Sequence, residues 1–461
     1  MPYDLLIHGG EVWVDSELRR VDIALEAEQI AAVGTDLGPA VAHLDATGSL
    51  VLPGGIDVHT HFDTDVGGAA TADTYESGTR AAVYGGITTI LNYAFQGRGE
   101  RLSDVIERES SKASGNCHID YGFHVAVTDA SVPGLAADLA RLPELGCPSV
   151  KVFTALDFRL TDQDLLAVLD AVSGKGVLLN VHAEDGALVD FLSERLHARG
   201  QRGIEQLGPS RPPRAEALAV EKMISYAGAA DTPLYIVHLS SGEALEAVRR
   251  GRKAGLEVYA ETRPAYLFLD DSVYRLPERE GNRFACWPPL RDKNDQSELW
   301  AALAAGEIQC YATDHTTWTL AQKMQPGLPF GQVPGGISNV QTSMGMLYSE
   351  GVATGRITLA RYVEVTAENP AKLFGMWPRK GSITPGSDAD LMILDPALRY
   401  QVISAAMQSA SDFDPYDGYV SHGWPASVIC RGKVVVAEQQ LIQTSTAGKF
   451  VHRGPFESLP G

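Results

Sequence analysis

The chain has 461 residues, enough for one large core and a smaller satellite domain. Its formal net charge of −20 argues against a nucleic-acid or anionic-membrane surface, which needs clustered Lys and Arg. Hydrophobic residues make up 44%, an ordinary globular share, and no stretch approaches the ~20 apolar residues of a membrane helix.

The opening MPYDLLIHGG lacks a basic segment followed by an apolar one, so no signal peptide is expected. The runs YDLLIHGGEVWV, RRVDIALEAEQIAAVG and HLDATGSLVLP alternate between Gly or Asp turns and predict antiparallel strands. The same texture returns in SDADLMILDP, YQVIS and GWPASVICRGKVVVAEQQ. The expectation is a composite β-sandwich domain from residues 1–52 and 380–461, with a Gly- and Ser-containing arm, STAGKFVHRGPFESLPG, at its end.

Residues 53–379 alternate differently. Short β-branched and apolar runs appear at GIDVHTH, GITTILNYA, DYGFHVAVTD, SVKVFTA, GVLLNVHAED, PLYIVHLSS, LEVYAETRP and EIQCYATDH. Helical signals fill most gaps: Thr161 with Asp164 caps LLAVLDAV, and Ser240 with Glu243 reads as a capping box before ALEAVRR. Eight strand–helix units predict an α/β fold with a (β/α)₈ barrel. An open doubly wound sheet would want a Gly-rich phosphate loop after its first strand, and PGGIDVHTHFD is not one. ISNVQTSMGMLYSEGV and LARYVEVTAENPAKLFGM read as helices that close the barrel. The five cysteines, Cys117, Cys147, Cys286, Cys310 and Cys430, are odd in number and form no CxxC. Buried free thiols in a reducing cytoplasm are expected.

Catalytic groups of a barrel belong at the C-terminal strand ends. His59 and His61 end the first run and, as i and i+2, point the same way. Lys151 lies in the fourth run, His182 ends the fifth, His238 the sixth and Asp314 the eighth. Alone, each has a bland reading: a strand histidine is usually a hydrogen-bonded core residue, Asp314 a loop cap, Lys151 half of an ion pair. Together at one mouth, imidazoles and a carboxylate point to a divalent-metal site with open positions for water. His8, His43, His118, His124, His197, His422 and His452 show no such arrangement, and His315 is intermediate. Ser240 and Ser241 are read as capping residues, not nucleophiles.

PGGIDVHTHFD, SVKVF, VHAEDG, YIVHLSSGEAL, ETRPAYLFLD, PPLRDK, ATDH, LFGMWPRKGSITPGSDADLMILDP and GKFVHRGPF together resemble the amidohydrolase superfamily, within it the dihydropyrimidinase and hydantoinase branch of cyclic amidohydrolases. The resemblance implies two divalent ions, zinc first and manganese or cobalt as alternatives. His59, His61 and Asp314 would hold the buried ion, and His182 and His238 the exposed one. Lys151 would react with CO₂ to give N6-carboxylysine, an anionic bridge between cations that an ammonium would repel. A bridging hydroxide would then attack a cyclic amide or imide, with Asp314 moving the proton to the leaving nitrogen. The resemblance also implies a homotetramer, with GKFVHRGPF similar to exchanged tails.

Three departures concern the substrate. The branch's oxyanion-binding Tyr is Leu156 here, the Ser of its CSPPLR stretch is Trp287, and the Asn of its IPNG-like loop is Gly335 in VPGGIS. Leu offers no donor, a loss of ~3 kcal/mol of transition-state stabilisation unless replaced. Trp287 and Gly335 remain candidates for gripping the substrate, and Tyr93 is a weaker candidate for the missing donor. The expected ring is therefore not plain dihydrouracil. The alternatives are an allantoinase-like or open-chain amide hydrolase, and a non-catalytic scaffold of the same family. A scaffold is expected to have lost ligands, and all six positions are filled.

Overall fold

The computed structural model describes residues 2–66 and 69–459. The eight expected runs all form strands: β1 Gly55–Thr60, β2 Ile87–Phe95, β3 Asp120–Ala126, β4 Ser149–Phe153, β5 Leu178–His182, β6 Leu234–Ile236, β7 Val258–Thr262 and β8 Cys310–Tyr311. They pair in parallel in sequence order. A parallel bridge between Thr60 and His315 joins the last strand to the first, so the sheet closes as a (β/α)₈ barrel. Helices follow the strands, among them Tyr75–Tyr84, Leu102–Ala113, Asp162–Val172, Gly186–Ala198, Pro213–Ala229, Gly242–Lys253 and Lys293–Ala305. Strand residues are buried on both faces because side chains fill the barrel and helices cover it, which explains the near-continuous apolar runs.

Two expectations for helix ends need correction. Thr161 does cap its helix, accepting from the Asp164 amide. The cap of Gly242–Lys253, however, is Ser241, not Ser240, and no capping box forms with Glu243. Both hydroxyls donate to Oε2 of the buried Glu216, Ser240 at 2.7 Å and Ser241 at 2.6 Å, and it is Ser241 Oγ that also accepts from the Ala244 amide. Likewise ISNVQTSMGMLYSEGV is helical only from Ser343 onward. Its first half runs beside β8, where the Asn339 and Val340 amides donate to His315 Nδ1 at 3.0 and 3.1 Å.

The chain ends build two further sheets. A four-stranded sheet uses residues 3–8, 22–26, 29–34 and 40–45. In a seven-stranded sheet Leu391–Gln401 pairs with Leu50–Pro53 on one side and Val420–Cys430 on the other, so strands from both termini are neighbours. Leu5, Ile7, Ile23, Val51, Leu391, Ile393 and Ile429 share one apolar core between these sheets. Where this layer meets the barrel, the buried Lys380 ammonium reaches Asp120 (2.7 Å) of β3, Asp388 (3.0 Å) and Asp390 (2.5 Å).

GKFVHRGPF lies across the N-terminal floor of the barrel. Gly448 N bonds Cys117 O, Val451 N bonds Tyr121 O, and Arg453 N bonds Gly146 O. Arg453 is fully buried there, donating to Phe123 O and to Ser149 Oγ (2.9 Å). All five cysteines are free and buried, and no helix among the described residues is long and apolar enough to cross a membrane.

Candidate active site

His59, His61, Lys151, His182, His238 and Asp314 all line one cavity at the C-terminal mouth of the barrel, together with Leu156, Trp287 and Gly335. Two strand ends had to be extended to reach it. His238 stands two residues beyond β6 and Asp314 three beyond β8, and both turn inward through left-handed backbone, φ 39 and φ 48. Leu156 has the same backbone hand, φ 73. Non-glycine residues pay for this conformation, and such strain gathers where geometry must serve function.

The polar groups form two clusters. Asp314 Oδ1 lies 3.2 Å from both His59 Nε2 and His61 Nε2. One ligand atom from each of the three falls within 4.8 Å of the others. Beside them, His182 Nδ1 and His238 Nε2 stand 3.0 Å apart. Buried carboxylates grip the far sides of two of these rings. Glu261 accepts from His59 Nδ1, and Glu184 accepts from His182 Nε2 at 2.8 Å. That fixes each ring's tautomer and leaves its other nitrogen free to bind a cation, the arrangement metal-ligating histidines use. His59 Nε2 is buried with no hydrogen-bond partner.

Burial holds the imidazoles of His59 and His238 well below their ordinary range, and lowers His61 and His182 as well. They are therefore neutral, the form that ligates. Asp314 goes the other way: burial raises its carboxyl, but the His59 imidazole and the Arg263 guanidinium outweigh this and hold it below the usual range. Lys151 is 1% exposed, with Nζ 4.2 Å from the centre of the Tyr93 ring. Burial lowers its amine to about 8, although Asp314 and Glu261 pull upward.

Tyr93 is buried and packs against His59 and His124, while its hydroxyl accepts from Asn180 at 2.9 Å. It is part of the core and is absent from the cavity lining. His315 does not reach the cavity either; it bonds Asp73 at 2.9 Å and anchors the backbone at Asn339. His124 sits beneath the site, between Ser149 Oγ and Val58 O.

Reading strand ends for ligands missed Glu261 and Arg263, although both stand at the end of the seventh run. Glu261 also accepts from Tyr235 Oη (2.9 Å) and the His238 amide (3.0 Å). Arg263 is 1% exposed and donates to Asp314 Oδ2. The same strand-end test, applied to every charged residue rather than to metal ligands alone, would have found them.

A family model described as the amidohydrolase family matches residues 50–435. The chain belongs to the amidohydrolase family. Among curated relatives, this family member is 37% identical over 457 residues to the D-hydantoinase of Ralstonia pickettii, covering 98% of this chain and 100% of that protein. It is 36% identical over 458 residues to the D-hydantoinase of Geobacillus stearothermophilus, covering 98% and 97%. Among solved structures, the dihydropyrimidinase from Brevibacillus agri NCHU1002 superposes with a TM-score of 0.96 at 36% identity, covering 98% of this chain and 99% of the other. The amidohydrolase chain is thus hydantoinase-like along nearly its whole length.

Proposed function

We propose that the chain is a binuclear-metal hydrolase that opens a cyclic amide or imide ring. The observation that carries this reading is the convergence of four neutral imidazoles, one lysine and one carboxylate on a single cavity in a hydantoinase-like chain. His59, His61 and Asp314 would hold the inner ion, and His182 and His238 the outer one. The donor set of imidazole and carboxylate suits zinc, and manganese or cobalt accept the same ligands.

Lys151 would bridge the ions as N6-carboxylysine. An amine near 8 is uncharged in a useful fraction at neutral pH. Its lone pair forms an N–C bond to CO₂, the nitrogen gives its proton to solvent, and an anionic carbamate results. Two divalent ions bound there supply Lewis acidity, lowering the pKa of water and polarising the scissile carbonyl. Asp314 accepts the proton of the attacking water and returns it to the ring nitrogen as the C–N bond breaks, giving a ring-opened N-carbamoyl or amide acid. Glu261 and Glu184 keep His59 and His182 aimed throughout.

The substrate is a ring with a bulky apolar substituent rather than plain dihydrouracil. Phe95, Phe153 and Phe158 lie within 4.6 to 5.8 Å of one another, centre to centre, and line the cavity with Leu156 and Trp287. Such a wall favours an apolar group over a small polar ureide. A homotetramer is part of this reading, and sedimentation velocity tests it.

The deciding experiment expresses the protein with zinc or manganese and bicarbonate and screens cyclic amides and imides. The expected result is two divalent ions per chain and turnover of aryl-substituted hydantoins above dihydrouracil. Lys151→Ala should lower metal content and cut turnover by about 10³-fold or more. A wild-type preparation with no tightly held metal and no turnover would point instead to a scaffold.

A further inference from the structure

Strand β7 lends the cavity wall no residue, yet its end reaches two of the three residues that would hold the inner ion. Glu261 and Arg263, at i and i+2, share one face of extended chain. Glu261 accepts from His59 Nδ1, and Arg263 Nη1 donates to Asp314 Oδ2. The other oxygen of that carboxylate, Oδ1, is the one 3.2 Å from His59 Nε2 and from His61 Nε2. Asp314 is thus divided, one oxygen on a guanidinium and the other beside the imidazoles.

Arg263 is 1% exposed and is absent from the cavity lining, so it meets the site through Asp314. Its guanidinium lies 4.4 Å from the centre of the Tyr266 ring, and Tyr266 is itself pinned, its hydroxyl donating to Pro288 O at 2.7 Å. Nε and Nη2 are buried with no hydrogen-bond partner among the described residues. A buried cation with two donors unmet is costly to the fold, so packing alone gives no reason for an arginine here. Asp314, by contrast, needs a hold. It stands three residues beyond β8 on left-handed backbone, φ 48. A carboxylate free to turn there would offer a cation either oxygen; a charged donor on Oδ2 removes that freedom.

We infer that Arg263 is a positioning residue for the inner metal site, gripping Asp314 by Oδ2 so that Oδ1 is the oxygen presented with His59 and His61. The end of β7 then aims two of the three inner ligands, His59 through Glu261 and Asp314 through Arg263. This rests on the metal-hydrolase reading above, in which Asp314 also moves the proton.

Arg263→Met keeps much of the bulk and deletes the charge and the donors. In chelator competition, one of the two ions should be held about 10- to 100-fold more weakly and the other changed less. The visible absorption of the cobalt-loaded protein should shift, because a ligand oxygen has turned. With metal saturating, kcat on a cyclic amide that the wild type opens should fall about tenfold or more, with KM within about twofold. Arg263→Gln, neutral but still a donor, should fall between the two, and it carries the test if Arg263→Met does not fold. Wild-type metal affinity and cobalt spectrum in the folded variant would overturn the inference. So would an equal loss of both ions, or a raised KM with kcat kept. A wild-type protein that binds no divalent metal would instead overturn the metal-hydrolase reading.

Discussion

At the scale of single residues, Glu261 shows how much of the site lies behind the cavity wall. It is 1% exposed and collects His59 Nδ1, the Tyr235 hydroxyl and the His238 amide. Replacing it by Gln keeps the shape but puts an amide where the carboxyl group meets His59 Nδ1, so the ring is oriented less firmly. Metal affinity should fall 10- to 100-fold, measured by chelator competition, while Lys151 remains in place. An unchanged affinity would show that His59 needs no such support. The six ligand candidates were legible because strand side chains alternate and a barrel brings its strand ends together. Glu261 was not, because its partner His59 is 202 positions away and no local pattern links them. The left-handed turns that aim His238 and Asp314 were equally hidden.

At the scale of elements, the loops around the mouth depend on buried single groups. Lys323 is 0% exposed and donates to Arg283 O and Ala285 O on one loop and Gly336 O on the next. Lys323→Met would take one donor from each of three carbonyls, Ala285 O keeping the Gly336 amide, at a cost of ~1–3 kcal/mol. The expected outcome is a lower melting temperature and a raised KM with metal content intact. Strands and most helix positions were readable from periodicity, but the shift of a cap from Ser240 to Ser241 was not. Both hydroxyls are held by Glu216 from another helix, a contact that the local pattern does not carry. Asp414 gives a test by pH. Burial raises its carboxyl to about 7, with Asp417 adding to the rise, while the Tyr416 amide opposes it. The native state therefore keeps a proton that the unfolded chain releases from about pH 4, and stability falls as pH climbs through that window to about 7. Asp414→Asn retains the acceptor for the Tyr416 amide. Its melting temperature should gain on the wild type from pH 4 to 7, then hold a constant lead.

At the scale of the whole molecule, Lys380 and Arg431 both tie the sandwich to the barrel through Asp120 of β3. Burial lowers the Lys380 amine, but Asp390, Asp120 and Asp388 outweigh it and hold it well above the usual range. Lys380→Met would leave the three buried carboxylates only Arg431, at Asp120 and Asp388, and Arg379, at Asp388, as cationic partners among the described residues, and cost about 3–5 kcal/mol. Calorimetry should then show a lower or divided transition; an undisturbed melt would mean the carboxylates find other partners. The composite sandwich was legible because both termini share an alternating texture, whereas this link, between positions 120 and 380, was not.

The floor of the barrel has a further consequence. Arg453 Nη2 donates to Ser149 Oγ, which meets His124 Nδ1 at 2.6 Å. His124 stacks on Tyr93, and the Lys151 amine stands over the Tyr93 ring. A plug at the bottom is thus wired by contact to Lys151 at the top. Those plug residues follow every barrel strand in chain order, so the ribosome makes them after the rest. A nascent chain still lacking them holds all six ligand positions on an unsealed vessel, and competence should arrive only once residues 448–456 are in place.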